Sequence, residues 1–345
     1  MRPLVEALQV ADRPHIPGRG DPRLPDYKEW WHFNVIEDAS GADVIVNLSL
    51  GGDLFTPDKG QANLILLVHE RGRGWSGGLK LFDGVAACVD PRRVDIALGS
   101  SALRCADRGY ALALADTGGT VAVDLLLEPL AEPFMVWKDT PIGEGHVNWL
   151  IVPNLAASGE IRVGGRRIAV SGARAYHDHN WGRWRWGDNF GWDWGFCAAA
   201  ADIGGEPLSL VYDKTVDRAR SGVMEHSLAL WRGPRLAKLF SRRMVTAGRS
   251  DRFAGEVRRI PGVSALIDQS RVTSVPQQLR FAARDGVDWI DARYEPDAAI
   301  QIAIPRETGF GLVELNETMG WLTAAGSLGG EPLTFRRRAC FEFVR

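Results

Sequence analysis

Short segments in which apolar residues alternate with others recur along this chain and limit its fold more than any other feature. They run for five to eight residues and close at glycine, proline or aspartate, a pattern typical of strands. Clear examples are residues 44–50, 110–115, 120–127, 301–304 and 340–344. Gly164 and Gly165 separate two further segments, which predicts a two-residue hairpin.

Many short strands at hairpin spacing predict an all-β fold of antiparallel sandwiches or barrels, and 345 residues exceed what one such unit usually takes. We therefore expect two β-barrel-like domains. Residues 1–25 are rich in proline and are expected to form an extended lead-in. Residues 26–201 are expected to form the first domain and residues 202–345 the second. One helix is expected around 234–244, where Leu236, Leu239, Phe240 and Met244 can share a face.

Composition excludes several classes of protein. A formal charge of -2 gives no global field that would attract nucleic acid. Four well-separated cysteines without a CxxC pair indicate neither a disulfide framework nor a zinc ribbon, so a reducing, cytoplasmic location is expected. We expect no membrane-spanning helix, because no apolar run approaches the roughly 18 residues that one needs. The oligomeric state is left open.

The segment 232–252 carries seven basic residues and one acid, Asp251. Two interpretations stand. The segment is a solvated surface, or it rests on an anionic membrane as a peripheral contact.

The stretch 175–195 is the most unusual, because tryptophan, histidine, aspartate and glycine are concentrated in it. If its first part is a strand, Tyr176, Asp178 and Asn180 share one face and His177 and His179 share the other. Only one of these faces can line a cavity, and each leads to a different chemistry.

On the first face, Asp178 among aromatic rings would stay protonated and could donate its proton to an alkene, with indole rings stabilising the cation. On the second, His177 and His179 could bind a metal with His32, His69 or His146. In a third interpretation the polar groups only satisfy buried backbone and the tryptophans form core.

Two other segments share this composition. In residues 27–34, alternation places Trp30, His32 and Asn34 on one face and Glu29, Trp31 and Phe33 on the other. Further along, His146 and Trp149 precede the hairpin that leads into Tyr176. If the strands are adjacent, His146 could tune or reprotonate Asp178.

In this order, these segments resemble the hydroxyneurosporene synthase family, the carotenoid 1,2-hydratases, within a lipocalin-like (AttH-like) superfamily that also contains cyclases. Residues 29–33 resemble its WWY-type motif and 51–57 its GSVFSP stretch. His146, Trp149 and Pro153 resemble its HxW...P element. The most specific match is 176–182 followed by Phe190, Trp192 and Trp194, which resembles YxDxNxG...F..WxW.

The resemblance implies two lipocalin-like barrels, no cofactor or metal, and acid-catalysed addition of water to an isoprenoid double bond. It places the catalytic acid at Asp178, with His146 and Tyr176 in support. The predicted substrate-binding residues are Trp149, Asn180, Trp30, Trp31, His32, Trp181, Trp192 and Trp194. Two departures concern the site: His32 stands where the family has tyrosine, and the HxW spacing is longer by one residue.

We therefore predict a hydratase acting on a hydrophobic isoprenoid or polyene. If a neighbouring alkene or hydroxyl captures the cation instead of water, the same site is a cyclase. A pericyclase that folds a polyene without using Asp178, and a binding module without turnover, are the remaining alternatives.

Overall fold

The computed structural model describes residues 2–261 and 273–345, and most of these residues belong to β-strands. Of the described residues, 69% belong to strands and 5% to helices, which confirms the all-β prediction. It divides into two compact units, Met1–Arg185 and Trp186–Arg345.

The first unit contains one helix, two 3₁₀ turns and a 12-stranded antiparallel sheet. The elements are α1 (Arg2–Ala11), the turns Leu24–Asp26 and Gly84–Ala86, and strands β1 (Tyr27–Glu37), β2 (Ala42–Gly52), β3 (Gly60–Glu70), β4 (Gly74–Asp83), β5 (Ala87–Val89), β6 (Asp95–Leu98), β7 (Ser101–Ala106), β8 (Gly109–Ala115), β9 (Val121–Pro129), β10 (Phe134–Ile142), β11 (Gly145–Val163) and β12 (Arg166–Arg183). The strand order is β4-β3-β2-β1-β12-β11-β9-β8-β7-β6-β5, and β10 also pairs with β11.

The second unit contains a 10-stranded sheet and a 3₁₀ turn, Arg242–Met244. Its strands are β13 (Gly191–Ile203), β14 (Glu206–Val216), β15 (Val223–Arg232), β16 (Arg235–Ser241), β17 (Val245–Arg252), β18 (Val257–Ile260), β19 (Pro276–Asp285), β20 (Asp288–Pro305), β21 (Leu312–Leu328) and β22 (Glu331–Val344). The order is β16-β15-β14-β13-β22-β21-β20-β19-β17. The short β18 pairs with β20 in parallel, and the other pairs are antiparallel.

The predicted hairpin at Gly164 and Gly165 is confirmed: both glycines have positive φ and connect β11 to β12. These two long strands and β1 form the centre of the first sheet. They carry most of the residues that the sequence analysis selected from this unit.

The prediction of an extended N-terminal segment is wrong for its first part, because residues 2–11 form α1. Pro3 lies in the first turn, where proline is tolerated because its missing N–H needs no partner there. Val5 and Leu8 are buried in the core of the first unit, and Asp12 follows on the same side. The prolines between residues 14 and 25 led to an extended conformation being predicted for the whole segment, although the residues before them have a short amphipathic pattern.

The predicted helix around 234–244 is also wrong, because its residues form β16 and a 3₁₀ turn. A spacing of four residues, as between Leu236 and Phe240, fits both helical periodicity and strand alternation. Pairing with β15 decides the outcome, since Phe240 lies opposite Leu228 and is buried while Leu239 is 45% exposed.

The division between the units falls after Arg185, earlier than the expected boundary after residue 201. The reason is that β13 pairs with β14 and β22 of the second sheet. The tryptophan-rich stretch is therefore shared, with Trp181 and Trp184 in the first unit and Trp192 and Trp194 in the second.

Four basic side chains of the segment 232–252 form ion pairs with acids of the second unit. Arg232 contacts Glu206 and Glu331, and Lys238 contacts Asp285 and Asp288. Arg242 pairs with Glu225 and Arg249 with Asp193. Membrane contact through this segment stays a prediction. Within the described ranges, no helix has the length and apolar character required to cross a membrane.

Candidate active site

The register of the central strands places two of the three predicted catalytic residues, Tyr176 and Asp178, in neighbouring rows on one face of the sheet. Asp178 on β12 lies opposite His32 on β1 and Ile151 on β11. Asn180 lies between Trp30 and Trp149, and Tyr176 lies opposite Asn34. We call this set the Asp178 face: Trp30, His32, Asn34, Trp149, Tyr176, Asp178 and Asn180.

Polar side chains on the Asp178 face are removed from solvent. Tyr176 and Asn34 are fully buried, and Asp178 and His32 are each 5% exposed. The amide Nδ2 of Asn180 donates a hydrogen bond of 2.8 Å to Oδ1 of Asp178. A neutral donor therefore fixes one oxygen of the carboxyl group and adds no charge.

His32 is held as a neutral imidazole. Burial lowers its pKa from 6.5 to about 4; the hydrogen bond with Asn34 opposes this shift and the proximity of His177 adds to it. Nε2 lies 2.9 Å from Oδ1 of Asn34, and because an amide oxygen only accepts, Nε2 carries the ring proton and Nδ1 is the basic nitrogen. Near neutral pH, His32 therefore places an uncharged hydrogen-bonding group opposite Asp178.

Indole rings flank the carboxyl row. Trp149 makes an edge contact with Trp137 at a centroid distance of 5.0 Å, and Trp30 makes one with Trp184 at 5.2 Å. The faces of indole rings attract positive charge through their quadrupole. The Asp178 face thus combines a buried carboxyl group, a neutral imidazole and aromatic rings that suit a cationic intermediate.

On the opposite face of the same strands, a second group of polar side chains lies next to the apolar core, and all of them except His15 are fully buried. We call it the buried charge cluster: Asp12, His15, Glu29, His177 and His179. Oδ2 of Asp12 lies 3.1 Å from Nε2 of His177, and its Oδ1 lies 2.9 Å from Nδ1 of His179. Nε2 of His179 is 2.8 Å from Oε1 of Glu29.

Aromatic residues complete the cluster. Tyr110 donates a hydrogen bond of 2.7 Å to Oδ2 of Asp12, and Tyr27 donates one of 2.8 Å to Oε2 of Glu29. Trp31 stacks on His179 at 4.4 Å. Every ring and carboxylate is therefore held in place by at least one polar or stacking contact.

The charges of the cluster stabilise one another. Burial alone would lower the pKa of His179, but Asp12 and Glu29 outweigh it and raise the pKa to about 9. Burial would raise the pKa of Asp12, yet the histidines hold it below its usual range, and polar contacts with His15, His179 and Tyr27 do the same for Glu29. His179 is thus a buried cation between two carboxylates.

Local sequence patterns did not indicate Asp12, His15 or the role of Glu29. Asp12 and His15 belong to the segment expected to be extended, and nothing local to them indicates partners more than 100 residues away on β12. The spacing of Val5, Leu8 and Asp12, which puts all three on one side of a helix, is the signal that could have found Asp12.

The alternative in which His177 and His179 bind a metal with His32, His69 or His146 is not supported, because none of these three joins them in a donor group among the described residues. The side chain of His32 points to the opposite face, where it bonds Asn34, and its carbonyl oxygen accepts a hydrogen bond from Nδ1 of His177. Nδ1 of His69 lies 3.6 Å from Oδ2 of Asp43 instead. His146 shares the face of His179 but lies opposite Arg183 at the end of β11.

The structure also separates His146 from Asp178. Residue 149, not 146, is opposite Asn180, and His146 is on the other face of the sheet, so the expected pairing with Asp178 is not formed. Trp31 and Trp181 likewise lie on the face of the buried charge cluster, where Trp181 stacks on His15 at 3.9 Å.

The remaining two predicted residues, Trp192 and Trp194, lie on β13 of the second unit. Nε1 of Trp192 donates a hydrogen bond to Oε1 of Glu342, and its ring stacks on Phe190 at 6.0 Å. Trp194 packs against Phe196 at 5.9 Å. Their part in substrate binding stays a prediction.

Comparison with solved structures finds several proteins with a similar fold. An AttH candidate from Nitrosomonas europaea superposes with a TM-score of 0.63 at 14% identity, covering 96% of this chain and 98% of the other. Kievitone hydratase from Nectria haematococca gives 0.57 at 11% identity, with 98% and 94% covered. The protein CghA gives 0.58 at 13% identity, with 93% and 88% covered.

At these identities the similarity shows the fold, and it confirms the predicted pair of lipocalin-like β domains. No protein-family model matches the sequence, and a search of curated proteins found no match.

Proposed function

We propose that this chain catalyses the acid-initiated addition of water to a carbon–carbon double bond of an isoprenoid or polyene, with Asp178 as the proton donor. The observation that carries the proposal is the Asp178 face, where a buried carboxyl group lies in register with a neutral imidazole and next to a row that contains Trp30 and Trp149. The shared fold with a protein named as a hydratase supports it.

The proton-donor role rests on the surroundings of Asp178. Burial favours the neutral form of a carboxyl group, Asn180 donates from a neutral amide, and His32 is uncharged near neutral pH. A protonated carboxyl group that faces an apolar substrate can deliver its proton to the less substituted alkene carbon.

The cation then forms on the more substituted carbon, beside the indole rings of Trp30 and Trp149, whose faces stabilise positive charge. A water molecule attacks this carbon, and the extra proton of the resulting oxonium passes to the carboxylate of Asp178. One carboxyl group therefore gives a proton and takes one back, so the net reaction adds one water molecule.

Turnover in deuterated water with ¹⁸O-labelled water tests the proposal. Acyclic carotenoids and prenylated aromatics are incubated with the purified full-length chain, and products are analysed by mass spectrometry. We expect one deuterium on carbon and one ¹⁸O in the product. Deuterium without ¹⁸O would establish cyclisation, and conversion without deuterium on carbon would refute the role of Asp178.

The matched variants are Asp178→Asn and Asp43→Asn. Asp43 is another fully buried aspartate of the same sheet, 3.6 Å from a histidine, but it lies at the far end of β2. Because general acid catalysis is worth about 10²- to 10⁴-fold, Asp178→Asn should lose at least about a hundredfold in kcat/KM while Asp43→Asn stays near the parent rate. Equal losses in both variants would contradict the assignment.

A further inference from the structure

We propose that His15, Glu29 and His179 form a binding site for a zinc-type divalent cation, on the sheet face opposite to Asp178. One donor atom from each residue lies within 4.8 Å of the donor atoms of the other two. Nε2 of His179 is 2.8 Å and Nδ1 of His15 is 3.6 Å from Oε1 of Glu29.

These separations suit a shared ion. Zinc binds nitrogen and oxygen at about 2.0–2.2 Å, so neighbouring ligands of a tetrahedral site lie roughly 3.3 Å apart. Small side-chain shifts therefore bring all three donor atoms to an ion, which replaces the proton on Nε2 of His179 and releases it to solvent. Two imidazoles and one carboxylate form a donor set that zinc accepts, with a fourth position for water. In the described part of the chain, no other group of His, Cys, Asp or Glu has this spacing.

Each ligand is oriented by a second contact, as is typical of metal sites. Oδ1 of Asp12 lies 2.9 Å from Nδ1 of His179, and this contact directs Nε2 of His179 toward Glu29. Tyr27 binds Oε2 of Glu29, and the backbone N–H of His15 donates a hydrogen bond of 2.8 Å to Oε1, which holds Oε1 toward the two histidines. The imidazole of His15 lies flat on Trp181, with an interplanar angle of 2°.

An unsatisfied atom points to the same place. Nδ1 of His15 is buried and lies 3.6 Å from Oε1 of Glu29, too far for a hydrogen bond, whereas nearly all buried polar atoms in proteins make one. A cation held with Glu29 would satisfy it. The side chain of His15 is 27% exposed, so the site is reached from solvent at this residue.

The proposed metal site lies apart from the residues that the hydration chemistry uses. His15 lies between α1 and β1, whereas Glu29 and His179 belong to the central strands. A bound ion would therefore tie the N-terminal segment to the sheet and stabilise the first unit by binding only the folded chain.

The test uses the tag-free, full-length chain after chelation and dialysis, titrated with zinc chloride by calorimetry and with cobalt chloride by visible absorption. We expect about one equivalent of zinc at micromolar affinity or tighter, the d–d bands of four-coordinate cobalt, and a higher Tm with zinc. Magnesium, which prefers oxygen ligands, should produce none of these changes.

His15→Ala should weaken zinc binding at least tenfold and abolish the rise in Tm, and its partial exposure keeps the fold intact. His69→Ala removes another histidine that lies next to a carboxylate and should retain zinc binding. If zinc binding is unchanged in His15→Ala, or if the parent chain binds no zinc, the proposal is overturned. Failure of the hydration assay would leave this result unaffected, because the readout here is the metal itself.

Discussion

Acidification from pH 7 to pH 5 should weaken the folded chain through His32. The folded side chain has a pKa of about 4, whereas the unfolded one has the ordinary value of 6.5. As the pH falls below 6.5, the unfolded state takes up a proton that the folded state does not. Stability is therefore lost between about pH 6.5 and pH 4, and this loss levels off below pH 4.

The magnitude follows from the two pKa values. Between pH 7 and pH 5, the free energy of unfolding should fall by about 2 kcal/mol through this side chain alone. The His32→Gln variant keeps an amide donor for Asn34 but cannot take up the proton. It is expected to be less stable at pH 7 and to lose about 2 kcal/mol less than the parent on acidification.

Urea unfolding at pH 7, 6 and 5, with tryptophan fluorescence as the signal, measures this difference. The m-values of the two proteins should agree at each pH, which shows that the same surface is exposed on unfolding. If His32→Gln loses as much stability as the parent chain between pH 7 and pH 5, His32 is not held neutral by burial and the reasoning is refuted.

Three further substitutions test other contacts. Tyr110→Phe removes the hydroxyl that donates to Asp12 and should lower the free energy of unfolding by about 1.5–3 kcal/mol, as measured in urea; a change within experimental error would contradict a charged carboxylate there. Trp149→Phe keeps an aromatic ring with a weaker quadrupole and should lower kcat about 2- to 30-fold with little change in fold, whereas an unchanged kcat would exclude cation stabilisation by this ring. His146→Ala should cost far less activity than Asp178→Asn, because the register places His146 on the other face; equal losses would favour the role that the family resemblance implies.

The sequence predicted what depends on local pattern. Alternation assigned Tyr176, Asp178 and Asn180 to one face and His177 and His179 to the other, and the two sheet faces keep that division. Glycine pairs located the hairpin between β11 and β12 because the positive φ angles of its turn favour glycine.

It could not predict what depends on pairing partners. The offset of His146 from Asp178 is set by the register of β11 on β12, which no local pattern encodes. The buried charge cluster depends on a contact between the end of α1 and the last strand of the first unit. The segment 235–241 had a spacing compatible with helix and strand, and only its pairing with β15 resolved it.

The contact between Asp12 and His177 joins residues that are 165 positions apart, close to the two ends of the first unit. On a ribosome the chain emerges from its N-terminus, so Asp12 and α1 are made long before the histidines of β12. Until β12 is synthesised, the carboxylate of Asp12 lacks the imidazoles that offset the cost of burying it, and it is best kept in water. The core around Val5 and Leu8 therefore closes late, and the first unit is expected to fold as a whole after β12 has left the ribosome rather than strand by strand.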